Sequence, residues 1–133
     1  MKNLTTAIYG KLSGSTLETT INGQLYKGQA DQGAVFPYIV YFIVSDIPEY
    51  PGGKTIEQVL LQFSLFSVLG SSSEIEDMLT NLRALYDDVV LTITGNTEIY
   101  FIRGNMVTMR DELEGTEGVW HYVQEYEVWM VKT

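Results

Sequence analysis

Gly52-Gly53-Lys54-Thr55 is the first stretch whose residue types suggest chemistry, that of a phosphate-binding loop. Such a loop needs a further glycine five positions before Gly53, and this chain has Pro48 there. It must also lead into a helix, whose N-terminal amides hold the phosphate, whereas the residues after Thr55 read as a strand. An ordinary loop is expected. Asp111-Glu112-Leu113-Glu114-Gly115-Thr116-Glu117 has the acidity for calcium. A helical calcium loop needs oxygens at positions one, three and five, and position three is Leu113. A solvated acidic turn is expected instead.

His121 shares strand parity with Glu125 and Glu127, residue types that suit acid–base work. Residues four apart on a strand are separated by roughly 13 Å, so His121 and Glu125 do not touch. A histidine on a sheet face or interface is expected. Nothing selects two of the seventeen acids as a glycosidase-like pair. Tyr38, Tyr41, Tyr50, Tyr100, Tyr122 and Tyr126, with two tryptophans, have the ring chemistry to stack on single-stranded nucleic acid. That mode also needs a basic groove, and the chain has eight Lys and Arg in all. Core packing and a protein interface account for the rings better.

Composition narrows the classes further. Seventeen acids against eight bases give a formal net charge of −9, which opposes a broad grip on phosphate backbones or on an anionic membrane. The absence of cysteine excludes disulfides, thiolate metal sites and Cys nucleophiles, and one histidine excludes zinc sites built on several. No catalytic, cofactor or metal residues are assigned. No apolar run reaches the ~18–20 residues of a membrane helix. The N-terminus lacks the apolar core of a signal peptide, so a protein made in the cytoplasm is expected. A length of 133 residues with 45% apolar content suits a single domain, 1–133, with one core.

The elements that must position these residues follow from periodicity. Leu4, Ile8 and Leu12 form a narrow helical stripe over about Asn3 to Leu12, with Asn3 as N-cap. Thr16 to Asn22 is ambiguous, Asn22-Gly23 is a turn, and Gln24 to Lys27 is a short strand. Phe36 to Val44 reads as a strand with Pro37 at its start, apolar on both faces, which calls for cover by the core on one and by a helix or another subunit on the other. Ser45 to Gly53 reads as a projecting connector. Thr55 to Val68 alternates, with Val59, Leu61, Phe63 and Leu65 on one face.

Ile75, Met78, Leu79, Leu82, Leu85 and Tyr86 define a helix from about Ser73 to Asp87. Ser71 with Glu74, or Ser73 with Glu76, would make its capping box, and Arg83 with Asp87 a surface pair. Val89 to Ile93 is short and apolar, and Thr97 to Thr108 and Val119 to Val131 close the chain as strands, with turns at Gly95-Asn96 and Asp111 to Gly118. Hairpin-length links argue for an α+β fold, a mostly antiparallel β-sheet with helices packed on it.

Taken together, the pattern resembles the tail completion, or tail terminator, proteins that join tail to head in long-tailed bacteriophages of the siphophage type. The likeness rests on a short N-terminal helix, the strand Phe36-Pro37-Tyr38-Ile39-Val40-Tyr41, and a loop ending at Gly53-Lys54. It continues through the strand Val59-Leu61-Phe63-Leu65, the Ser-capped helix closing on Leu85-Tyr86-Asp87, and the final His121-Tyr122-Val123-Gln124-Glu125-Tyr126-Glu127-Val128. It spans nearly the whole chain on soft apolar and turn patterns, with no catalytic signature.

The resemblance implies a structural virion protein at the head-proximal end of the tail. Such proteins form a six-fold ring on the tail tube, end its polymerisation and present a surface to the head connector or stopper. The implied partners are the chain itself, the tube protein and the connector. DNA would pass through the lumen without specific binding. Six copies would carry a formal charge of about −54, six times −9, and a lumen lined with part of it would repel passing DNA. The candidate contact residues are Asp46, Glu49, Tyr50 and Lys54 around the first loop, and Asp111, Glu112, Glu114 and Glu117 in the acidic turn. Alternative readings are a head-completion stopper, a tube subunit, or a small ligand-binding domain with a pocket holding His121.

Overall fold

The computed structural model describes residues 2–49, 55–68, 72–93, 97–111 and 118–132. The elements run α1 (Lys2–Leu12), α2 (Thr16–Thr20), β1 (Leu25–Lys27), β2 (Tyr38–Glu49), β3 (Thr55–Ser67), α3 (Ser73–Tyr86), β4 (Val90–Ile93), β5 (Thr97–Asp111) and β6 (Val119–Lys132). One six-stranded sheet has the order β1-β2-β3-β6-β5-β4. Every pairing is antiparallel except β1 with β2, so the expected mostly antiparallel sheet holds with one parallel edge strand added.

Cross-strand partners share a face, and this divides the sheet. The helix side carries Ile39 and Tyr41, the expected row Val59, Leu61, Phe63 and Leu65, then Tyr122, Tyr126, Val128 and Met130, and Ile99 and Phe101. These form one buried cluster with Leu4, Ile8 and Leu12 of α1, Leu17 of α2, and Ile75, Met78, Leu79, Leu82 and Tyr86 of α3. Each fully buried Leu, Ile or Phe contributes roughly 1.5–3 kcal/mol of transfer free energy. Phe63 is the aromatic centre, with Tyr86 stacked at 5.1 Å and Tyr126 edge-on at 5.9 Å between ring centroids.

Several local expectations change. Asn3 lies inside α1 and does not cap it. The ambiguous stretch is α2: Ser15 Oγ accepts from the Glu18 amide, and Glu18 Oε1 accepts from the Gly14 amide. That is the logic of a capping box, legible in Ser15-Thr16-Leu17-Glu18. Asn22 and Gly23 both take positive φ in the turn that follows.

Ser45 to Glu49 is not a connector. It extends β2 along β3, and Pro48 is tolerated because this part of β2 is a sheet edge. α3 is preceded by Ser72, whose side chain makes no capping bond, so the Ser73–Glu76 box does not form. Glu74 instead accepts from the Ser67 hydroxyl at 2.7 Å. Ser71, and the Gly95-Asn96 turn, lie outside the described residues.

Candidate interaction surfaces

The face of the sheet away from the helices differs chemically from the helix side. Glu98, Glu125 and Glu127 lie on it, and no described Lys or Arg does. The described strand cations, Lys27, Arg103, Arg110 and Lys132, all occupy helix-side rows. Alternation along each strand enforces this segregation. The open face also carries a run of rings from β2 to β6. Phe36 stacks on Tyr38 at 5.1 Å, Tyr38 meets Phe66 at 5.0 Å, and Phe66 stacks on His121 at 4.3 Å. Val40, Ser64 and Val123, one row across this face, are buried by the chain itself. The cover expected on this face of β2 is supplied by the chain itself at Val40, whereas Phe42 is exposed in the single chain.

Two strand segments stand out by exposure. In β2, the residues past Tyr41 lie beyond β1, whose pairing covers Ile39 to Tyr41, and Phe42, Val44 and Ile47 are exposed. In β5, the residues past Tyr100 lie beyond β4, and Ile102, Met106, Val107 and Met109 are exposed. Each segment carries a bulge, between Ile43 and Ser45 in β2 and between Arg103 and Met106 in β5.

Helix α3 fixes the geometry of β5 through two polar links. Arg83 donates from Nε and Nη2 to Gln124 Oε1, at 3.1 and 2.9 Å. Gln124 is fully buried, and its Nε2 donates to the carbonyls of Gly104, Asn105 and Glu125 at 3.2, 3.3 and 2.9 Å. The bulge carbonyls are thus satisfied from beneath. Gly104 fits because a Cβ there would stand 3.3 Å from the Glu125 carbonyl oxygen. Asp87, at the end of α3, pairs with Arg103 at 3.3 Å and accepts from the Tyr126 hydroxyl at 2.7 Å. The expected Arg83–Asp87 pair is therefore replaced by two contacts to the sheet. Tyr86 donates to the Ile8 carbonyl at 2.7 Å, tying α3 to α1.

Burial pushes the Tyr126 hydroxyl well above the usual tyrosine value, and its bond to Asp87 adds to the shift. Burial raises Tyr86 similarly, and raises Tyr9 to about 12 with help from Tyr41. Tyr100 donates to Glu98 on the open face, which raises it too.

Asp46 is exposed on the β2 edge, and Glu49 ends that strand. Asp111 ends β5. Tyr50, Lys54, Glu112, Glu114 and Glu117 lie outside the described residues, as does Gly52-Gly53-Lys54. The described candidates at the two ends of the sheet are not brought together. Asp46 is level with Val128 of β6 through Val59, whereas Asp111 pairs with Val119. Nine residues of β6 separate those rows, about 30 Å along the strand. The β2–β3 and β5–β6 connections therefore leave the sheet at opposite ends.

Sequence reasoning missed Gln124 and Arg83. The available signal was a glutamine at core parity between Tyr122 and Tyr126.

His121 is half-buried on the open face, and neither of two grooves on the molecule includes it. One, of about 460 Å³, is lined by Asp88, Val90, Tyr100, Ile102, Trp129 and Val131 among others. The other, of about 640 Å³, lies between α2 and α3 and is lined by polar residues. Among the described residues no group of three or more His, Asp or Glu could hold a metal ion, and no helix is long and apolar enough to cross a membrane.

No protein-family model matches this sequence, and no curated protein matches it either. The fold is similar to that of a chain from the virion of a native gene transfer agent particle. The TM-score is 0.73, with 99% of this chain and 96% of that chain covered, at 11% sequence identity. At that identity the likeness establishes a shared fold over the full length of both chains.

Proposed function

We propose that this chain is a structural virion protein that caps a phage tail tube as a six-membered ring, ends its polymerisation and forms the tail-side surface for the head connector. The observation that carries this reading is the full-length fold likeness to a chain of a gene transfer agent virion. The opposite placement of the two candidate loops supports it. A cap has to meet the tube on one side and the connector on the other, and this sheet offers one loop at each end.

The open face supports a passive lumen. With Glu98, Glu125 and Glu127 and no described Lys or Arg, it would repel a sliding duplex rather than hold it. Its rings would face the channel without a basic groove to retain nucleic acid.

The test is deletion of Glu49 to Gly52. The variant is expected to fold but to yield tails of abnormal length or tails that fail to join heads. Normal tails that join normally would remove the first loop from this role. Electron microscopy of the purified protein separates the neighbouring assignments: single short rings fit a terminator, long tubes a tube subunit. A basic, DNA-retaining inner surface in the assembled ring would overturn the passive lumen.

A further inference from the structure

We propose that copies of this chain join edge to edge, with the exposed part of β5 of one copy pairing antiparallel to the exposed part of β2 of the next, so that the sheets run on as one closed barrel. This deepens the ring reading above and rests on it. The residues concerned are Ile102 to Met109 and Phe42 to Glu49.

Direction is the first argument. Three antiparallel steps separate β2 from β5 within the chain, so the two edges run in opposite directions. A neighbour related by rotation along the row keeps that relation, and its β2 meets β5 antiparallel.

Stagger is the second. Through the ladders, Phe42 to Glu49 is level with Glu125 to Val131, and Ile102 to Met109 is level with His121 to Glu127. The two centres differ by four rows, roughly 13 Å along the strands. Four strands, β2, β3, β6 and β5, separate successive junctions, roughly 19 Å across them. The resulting slope is about 35°, within the tilt at which sheets close into barrels. The offset is also even, so helix-side rows meet helix-side rows and the acidic open face stays continuous.

Side-chain chemistry is the third. Exposed apolar residues concentrate on these edges: Val44 and Ile47 are both 53% exposed, and Val107 is 52% exposed. A four-row offset sets Val107 opposite Ser45 of the next copy and Met109 opposite Phe42. Arg103 then lies two rows from Asp46 on the same face, within reach of a long side chain. Like edges would fare worse, since pairing β5 with β5 gathers Arg103 with Arg110, both on helix-side rows. An edge strand left uncovered is a template for another strand, and here the complementary one is the far edge of the same molecule.

The chain has no cysteine, which permits a direct test by cross-linking. Ser45→Cys combined with Val107→Cys places two thiols at a spacing that a disulfide spans. Phe42→Cys with Met109→Cys reads the same register two rows away, should the first pair perturb folding. Oxidation of concentrated protein is expected to give a reductant-sensitive ladder ending in a closed species, with either single variant giving none. Rings seen by electron microscopy without a ladder would overturn the edge pairing and leave the ring reading standing. Dimers from a single variant would show like edges meeting and also overturn it. Protein that sediments as a monomer at every concentration, with no ladder, would remove the ring reading and this inference together.

Discussion

Arg83 and Gln124 meet beneath the sheet, with both guanidinium donors on one amide oxygen at 3.1 and 2.9 Å. The pair links α3 to the bulge of β5, because the other end of the amide holds the Gly104 and Asn105 carbonyls. Gln124→Leu leaves the guanidinium and the carbonyls of Gly104, Asn105 and Glu125 without this partner. The expected loss is about 2–4 kcal/mol in urea unfolding. Arg83→Met combined with Gln124→Leu is expected to cost less than the sum of the two, with coupling of about 1–3 kcal/mol. Additive losses would show that the two residues act separately.

Phe63 is fully buried between Tyr86 and Tyr126. Phe63→Ala removes the ring that both tyrosines lean on and leaves a cavity. A loss of about 3–5 kcal/mol is expected, read by chemical denaturation. A loss below about 1 kcal/mol would mean the neighbouring rings collapse into the space.

Alkaline pH should unfold the protein. Tyr9, Tyr86 and Tyr126 are all raised above the ordinary value of about 10 that they regain when unfolded. The fold therefore favours their protonated forms. That contribution is complete below about pH 10 and is lost as pH rises toward about 12 and beyond. The share of tyrosinate absorbance that comes from these three rings should rise together with loss of structure, and not before it. Tyr126→Phe also removes the bond to Asp87 and should lower stability by about 1 kcal/mol at neutral pH.

Gly118 has φ +113, in the region that side chains avoid. A Cβ there would also stand 3.1 Å from Arg110 Nε, whose guanidinium lies over Trp120 with Cζ 4.6 Å from the ring centroid. Gly118→Ala is expected to lower stability by about 1–3 kcal/mol in thermal or chemical unfolding. A neutral result would show that this backbone relaxes at no cost.

Much of this architecture was readable from periodicity. The row Val59, Leu61, Phe63, Leu65 and the stripe Ile75, Met78, Leu79, Leu82, Tyr86 are buried as their spacing requires. Each pattern is local and each face is single. Ser45 to Glu49 was misread because Pro48 signals a turn unless the strand is known to be an edge, which depends on sheet order. Arg83 was assigned to Asp87 because helix spacing sees only its own helix, while Gln124 lies 41 residues away. The projecting connector and the acidic turn carried no sign in sequence of where they sit relative to each other. That they leave opposite ends of the sheet follows from strand register, which no local pattern encodes.

The bulge in β5 has a genetic consequence. Between Arg103 and Met106 the strand advances three residues while β6 advances two, so inside and outside exchange parity. Odd-numbered residues face the helices before it, and even-numbered ones after it. Alternation along a strand is a two-phase code, and this bulge is its phase shift. Deleting one codon at Gly104 or Asn105 would restore plain alternation while leaving Met106 and Thr108 toward the helices and Val107 and Met109 away. A one-residue gap at these two positions would therefore remove the bulge and keep both faces, whereas a one-residue gap elsewhere in the strand would turn part of the edge over.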